Sequence, residues 1–262
     1  MEKVISADGT SIAYDQLGEG PAVVLVCGGS VDRMSNAPLA ALLAQNHTVY
    51  NYDRRGRGDS GDAKVYAIER EFEDLDAILA VAGGSAQLYG TSSGAALALL
   101  ATAAGRPVNR LALWEPPYFL EGAEGRPRPD TASIYRGFVA EGRRDKAAEY
   151  FMAEVVRLPA EFVAQAKASP WWPAQEAIAH TLAYDATVMG DYSVPVEELK
   201  AIHQPTQVLT GSVAWPWMAD SNRFVAEQLE DGRHVVLADQ QHNVDPAVLA
   251  PALEKFFGGD GR

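Results

Sequence analysis

One cysteine, Cys27, stands in 262 residues. A single thiol excludes an internal disulfide and any cysteine-rich metal site, and it agrees with a reducing compartment. Positive charge is scarce as well: 22 Lys and Arg against 35 Asp and Glu leave a net charge of -13. That balance repels phosphate backbones and anionic lipid, so neither nucleic acid nor a membrane surface is an expected partner. No run approaches the roughly 18 consecutive apolar residues of a membrane helix. The opening stretch, MEKVISADGTSIAYDQLGEG, also lacks the apolar centre of a secretion signal, so the expectation is a cytoplasmic protein. Without such a signal the glycosylation-like triplet Asn46-His47-Thr48 carries no weight. The five histidines form no cluster with ligand spacing, and no metal or cofactor is expected. Repeats and low-complexity tracts are absent too.

Apolar side chains are plentiful. At 47% of the residues they supply the core of one large domain, or of a core domain with an inserted subdomain. Asp8-Gly9 is a hairpin turn before a strand at 11–14, so the chain opens with two antiparallel strands. AVVLVC (22–27) is a continuous apolar run, the mark of a strand covered on both faces of a parallel sheet. A short helix at 39–43 and the strand TVYNYD (48–53) follow. Next comes a helix whose stripe of Ile68, Phe72, Leu75, Ile78 and Leu79 opposes a row of acids. AQLYG (86–90) is a strand, 92–104 an almost wholly apolar helix, and VNRLALW (108–114) a further strand. The alternation implies a doubly wound α/β sheet joined by right-handed crossovers. From 118 to 203 the texture becomes charged, helix-like and broken by prolines, which reads as an inserted helical cap. Strand and helix then resume with PTQVLTG (205–211), a helix over 218–229, HVVLAD (234–239) and a last helix capped by Asp245 with Pro246 in its first turn. The resulting division is a core of 1–117 and 204–262 around a cap of 118–203.

Gly90-Thr91-Ser92-Ser93-Gly94 is G-x-S-x-G between a predicted strand and a predicted helix, the context of a nucleophile elbow. Flanking glycines permit the sharp turn that exposes a hydroxyl beside the positive end of a helix. Ser92 takes the central position, and Ser93 is placed to offer its backbone N–H to an oxyanion. A serine hydroxyl needs a base. His47, His180, His203 and His234 lie where a packed or solvated imidazole is expected. His242 instead occupies the loop ADQQHNVDP beyond the carboxyl end of the last strand, the rim where α/β sheets place their sites. An acid between serine and histidine in chain order completes the set. Glu115 directly follows an apolar strand and precedes Pro116 and Pro117, a costly place for an unpaired carboxylate. Asp220 is the alternative, while Asp239, three residues before His242, suits a turn cap.

VLVCGG, YDRRGRGDSG, GTSSG and QQHNVDP together resemble the α/β-hydrolase superfamily across nearly the whole chain. The resemblance implies a mostly parallel eight-stranded sheet flanked by helices, with the cap inserted. Most members carry their acid after the strand that follows the cap, but here that segment, TGSVAWPWMAD, has no carboxylate before Asp220. Haloalkane dehalogenases and zearalenone lactonases place it one strand earlier, and Glu115 occupies that slot. Gly29 is the implied second oxyanion donor, with Ser30 the alternative donor and a substrate contact. Cys27 stands where many members have histidine and is expected to be a buried core residue.

Two further motifs carry less. Gly56 to Gly61 matches G-x-G-x-x-G, but the next helix begins several residues too late for phosphate binding. Asp53, Arg54, Arg55, Arg57 and Asp59 are better read as a charged loop bracing the rim than as an adhesion tripeptide. Tyr118, Trp171, Trp172, Trp215 and Trp217 are candidates to line a lipophilic pocket, with packing of the cap onto the core as their alternative role. The expected activity is a serine hydrolase acting on an ester or lactone of a lipophilic small molecule. The same fold and triad serving C–C hydrolysis, lyase or cyclisation chemistry is a second possibility, and a ligand-binding protein on this fold is a third. Oligomeric state is not legible.

Overall fold

A computed structural model describes residues 1–259. The eight strands are β1 (Glu2–Ile5), β2 (Ser11–Leu17), β3 (Ala22–Val26), β4 (Thr48–Tyr52), β5 (Ala86–Thr91), β6 (Val108–Trp114), β7 (Thr206–Gly211) and β8 (Gly232–Leu237). They form one sheet in the order β1-β2-β4-β3-β5-β6-β7-β8. The hairpin of β1 and β2 pairs antiparallel, as does β2 with β4, and all other neighbours are parallel. This is the sheet that the resemblance implied.

The apolar runs explain the layering. Alternate residues of a strand face opposite sides, so Val24 and Val26 pack beneath α2 (Ile68–Val81), α3 (Ser93–Ala103) and α10 (Pro216–Gln228). Val23 and Leu25 face α1 (Ala37–Leu43) and α11 (Pro246–Phe257). Burying each such side chain fully is worth roughly 1.5–3 kcal/mol. The edge strand β8 is only partly covered, which allows Val236 to stay exposed. Asp245 caps α11, its carboxylate accepting from the Ala247 N–H at 2.9 Å, and Pro251 lies inside that helix.

Between β6 and β7 the chain forms α4 (Thr131–Ala140), α5 (Arg144–Tyr150), α6 (Ala160–Lys167), α7 (Trp172–Ile178), α8 (Leu182–Met189) and α9 (Val196–Leu199), with α5 running into a π-helical turn over Phe151–Val155. These helices hold a core of their own around Tyr135, Met152, Trp172 and Leu182. α8 joins the two parts: Leu182, Ala183 and Ala186 belong to the helical core, whereas Val188 and Met189 pack into the core over the sheet. No helix among the described residues is long and apolar enough to cross a membrane.

Candidate active site

The backbone leaves the regular regions where parallel strands end. Among the described residues six that are not glycine have left-handed φ, and four of them, Ser30 (58°), Ser92 (55°), Glu115 (44°) and Asp239 (57°), lie just beyond β3, β5, β6 and β8. Such conformations cost of order 1–3 kcal/mol each and persist only where the surroundings impose them. At Ser92 the constraint is visible. Its N–H donates to the Trp114 carbonyl at 2.8 Å, and the helix that follows lies too close for side chains. A Cβ at Gly90 would sit 2.5 Å from the Gly94 carbonyl oxygen, and one at Gly94 2.3 Å from that of Cys27. The two glycines of G-x-S-x-G are thus required by close approach.

The strained turn at Glu115 holds a fully buried carboxylate against the histidine loop. Its Oε1 accepts from the Gly211 N–H at 2.9 Å, and its Oε2 lies 2.6 Å from His242 Nδ1. The loop is fixed from several sides. Trp114 Nε1 donates to the His242 carbonyl at 2.9 Å, Ser212 Oγ accepts from Asp239 N–H at 2.8 Å, and Gln240 Oε1 accepts from Asp245 N–H at 2.8 Å. Asp220 lies on the exposed side of α10 and pairs with Arg223 instead. The other histidines are engaged elsewhere: His180 with Asp62, His203 with Glu230, His234 with the Thr210 hydroxyl, and His47 buried beside Phe257.

Ser92, Ser93, Gly29 and His242 line one cavity of about 600 Å³, although no hydrogen bond joins Ser92 to His242. Neither the Gly29 nor the Ser93 backbone N–H makes a backbone hydrogen bond. The adjacent Gly28 carbonyl accepts from Arg57 Nη1. In a trans peptide the carbonyl and the next N–H point opposite ways, so Arg57 fixes the direction of the Gly29 N–H. Cys27 is fully buried, and burial pushes its thiol up, as befits a core residue.

Asp185, on α8, went unnoticed in the sequence. Its carboxylate accepts from Arg54 Nη1, Arg57 Nη2 and Ser93 Oγ at 2.7, 2.7 and 2.8 Å. Burial alone would raise this carboxyl, but Arg57 and Arg54 outweigh it and hold it below the usual carboxylate range. Arg54 also forks onto Glu71 at 2.7 and 2.6 Å, so two buried cations are balanced by two buried anions. The charged loop after β4 therefore reaches further than a rim brace: it ties the helical segment to the residues beside Ser92. Its glycines serve this packing, since a Cβ at Gly58 would lie 2.1 Å from Asp53 Oδ2. A faint signal existed, an acid inside the otherwise apolar LAYDATVM.

The aromatic candidates divide. Trp215 and Trp217 line the cavity. Phe119 stacks on Trp217 at 4.0 Å, Trp217 on Trp215 at 6.2 Å, and Trp215 lies 6.0 Å from His242, an aromatic row that leads to the imidazole. Tyr118, Trp171, Trp172 and Ser30 do not line that cavity. Tyr118 is buried against a separate groove beside α9. Trp171 is 47% exposed, and Trp172 is drawn into the helical core with its Nε1 on Glu176 at 2.5 Å. Ser30 turns its hydroxyl to Gln175 Oε1 at 2.5 Å, on α7.

Comparison with known proteins agrees with this fold. The profile of a family described as the alpha/beta hydrolase family matches residues 23–251. A solved alpha/beta hydrolase from Sphaerobacter thermophilus DSM 20745 is 47% identical, with a TM-score of 0.91 over 98% of this chain and 100% of that one. A thermophilic esterase from Thermogutta terrifontis shares the fold at a TM-score of 0.75 over 97% of each chain, with 21% identity. The uncharacterized hydrolase YraK of Bacillus subtilis (strain 168) is 35% identical over 99 residues; the match spans only 36% of each protein.

Proposed function

The chain belongs to the alpha/beta hydrolase family, and from that premise we propose that it is a serine hydrolase cleaving a carboxylic ester or lactone of a lipophilic small molecule through an acyl-enzyme. The observation that carries this reading is the 2.6 Å contact between His242 Nδ1 and a fully buried Glu115, with His242 and Ser92 lining the same cavity. A carboxylate can only accept, so the hydrogen on this contact resides on Nδ1, and Nε2 keeps its lone pair for a proton.

Ser92 Oγ attacks the carbonyl carbon while its proton passes to His242 Nε2. The carbonyl π pair moves onto oxygen, where the N–H groups of Gly29 and Ser93 receive it. Collapse of the tetrahedral adduct breaks the C–O bond, and His242 returns the proton to the departing alkoxide, which in a lactone remains tethered to the acyl group. Water then attacks the acyl-enzyme by the same route and frees Ser92. Glu115 holds the imidazole in the useful tautomer and offsets the positive charge it carries in each transition state. The apolar lining, with Leu39, Phe151, Val155 and Met218 beside the aromatic row, suits a lipophilic acyl or alcohol part. The helices between β6 and β7 act as the cap that roofs this cavity.

The test is turnover of a panel of aryl esters and lactones by the parent protein and Ser92→Ala. A loss of roughly 10⁶-fold in kcat is expected. Hydrolysis by Ser92→Ala at the parental rate would overturn the reading.

A further inference from the structure

The contacts of Asp185 converge on the two proposed oxyanion donors. Ser93 is the first residue of α3, where a helix has backbone N–H groups to spare, and its hydroxyl donates to Asp185 Oδ1 at 2.8 Å. Gly29 is met by the other carboxylate oxygen: a Cβ there would lie 3.1 Å from Asp185 Oδ2 and 3.3 Å from Ser93 Oγ. That same Oδ2 accepts from Arg57 Nη2 at 2.7 Å, and Arg57 Nη1 donates to the Gly28 carbonyl, whose peptide carries the Gly29 N–H.

The carboxylate is itself anchored. α8 packs its first turn into the helical core and its last into the core over the sheet. Arg54 ties Asp185 Oδ1 at 2.7 Å to Glu71 on α2, which also accepts from the Tyr66 hydroxyl at 2.7 Å. Ser30, next after Gly29, donates to Gln175 Oε1 on α7 at 2.5 Å. Both donors are therefore steadied from the helical segment and not from the sheet alone.

Charge and placement make opposite demands here. A carboxylate this near works against the negative oxygen of a tetrahedral adduct, and Arg54 and Arg57 offset it. If charge decided the matter, a neutral side chain in place of Asp185 would serve catalysis better. If placement decides it, the acid is the better choice, because oxyanion donors act only when they are set before the reaction begins.

Resting on the hydrolase reading, we propose that Asp185 is a positioning residue: from the helical segment it sets the Ser93 and Gly29 N–H groups for an oxyanion, directly through the Ser93 hydroxyl and through Arg57 for Gly29. It touches neither substrate nor reacting atoms in this role.

The experiment compares p-nitrophenyl octanoate with its thionoester, in which sulfur replaces the carbonyl oxygen, for the parent, Asp185→Asn and Ser93→Ala. Sulfur is the weaker acceptor, so well-set donors favour the ester and displaced donors discriminate less. Removing one oxyanion donor costs about 10²–10³ in kcat, and displacing donors in Asp185→Asn should cost about 10–100-fold with KM nearly unchanged. The ester-to-thionoester ratio should fall with it, while the acid limb of the kcat/KM profile stays in place because Glu115 and His242 are untouched. Ser93→Ala keeps its N–H and leaves Asp185 with both guanidinium groups, so it remains readable should Asp185→Asn not fold; a fall of about threefold to tenfold, the worth of one hydrogen bond, is expected in kcat and in the ratio. Octylboronic acid reads the same geometry without turnover: Ser92 Oγ bonds to boron, its proton passes to His242, and the negative charge stays on the boronate. Its affinity should fall in both variants while that of octanamide holds. A parent with neither turnover nor a preference for the boronic acid over octanamide overturns the hydrolase reading and this proposal with it. If the parent shows either and every folded variant matches it, or if Asp185→Asn is the faster enzyme, this proposal alone is overturned.

Discussion

Two buried carboxylates serve the same cavity and are held in opposite ways. Glu115, at the end of β6, accepts from one backbone N–H and one imidazole. Asp185, on α8, accepts from two guanidinium groups and a hydroxyl. Both are nearly sealed from water. The difference lies in what stands opposite. Arginine is always charged, so the surroundings of Asp185 are the same before, during and after a turnover. An imidazole gains charge only when it takes a proton, so in the proposed reaction Glu115 would meet a stronger partner in the transition state than in the ground state. Only the second arrangement can lower a barrier by differential binding; the first can fix geometry.

The contrast breaks most sharply at Glu115. Glu115→Gln should lower kcat by about 10⁴-fold through loss of the tautomer and of charge compensation, with circular dichroism and KM close to parental. If instead Asp185→Asn gave the larger fall in kcat and Glu115→Gln left it unchanged, the roles assigned to the two acids would be reversed. Asp185→Asn leaves Arg54 and Arg57 short of an anion, and breaking a buried pair in this way costs about 3–5 kcal/mol. Denaturant unfolding should register it as an earlier midpoint with an unchanged slope.

Acid titration sharpens the same comparison. The Asp185 carboxyl is depressed in the folded protein, so its contribution is complete above the unfolded carboxylate value of about 3.9 and is lost as pH falls through the folded value. The gap in melting temperature between parent and Asp185→Asn should therefore be constant from about pH 7 to pH 5 and narrow below about pH 4. A gap that widened on acidification would contradict it. The smallest effect belongs to Asp220→Asn. This residue is solvent-exposed and paired only with Arg223 on its own helix, so stability should change by less than about 0.5 kcal/mol, and a measured kcat should match the parent.

Glu115 was legible because its own place is marked locally, although its partner His242 lies 127 residues away. A buried strand, an acid and two prolines define a strand end, and chain order leaves few partners for a late histidine. Asp185 was not: its cations lie no further off, 131 and 128 residues away, but no strand end, proline pair or motif marks its place within α8. The sheet was readable for a similar reason: runs such as AVVLV are apolar on both faces wherever they pack. β8 marks the limit, because an edge strand is half covered, and its HVVLAD pattern misplaced both ends by two residues. In the helical segment short helices interrupted by proline give too few turns to fix a face. Trp171 and Trp172 looked alike in sequence, but one is open to solvent and the other enters a core that only the assembled helices create.

Left-handed turns at Ser30, Ser92, Glu115 and Asp239 all fall at one rim of the sheet. For an engineer this is a map of where the protein can be improved without being harmed. Relieving strain there, for example with glycine at Ser30 or Asp239, would trade the rigidity of the rim for thermal robustness. Reinforcing the opposite rim, where strands begin and these four distortions are absent, offers robustness with no such exchange.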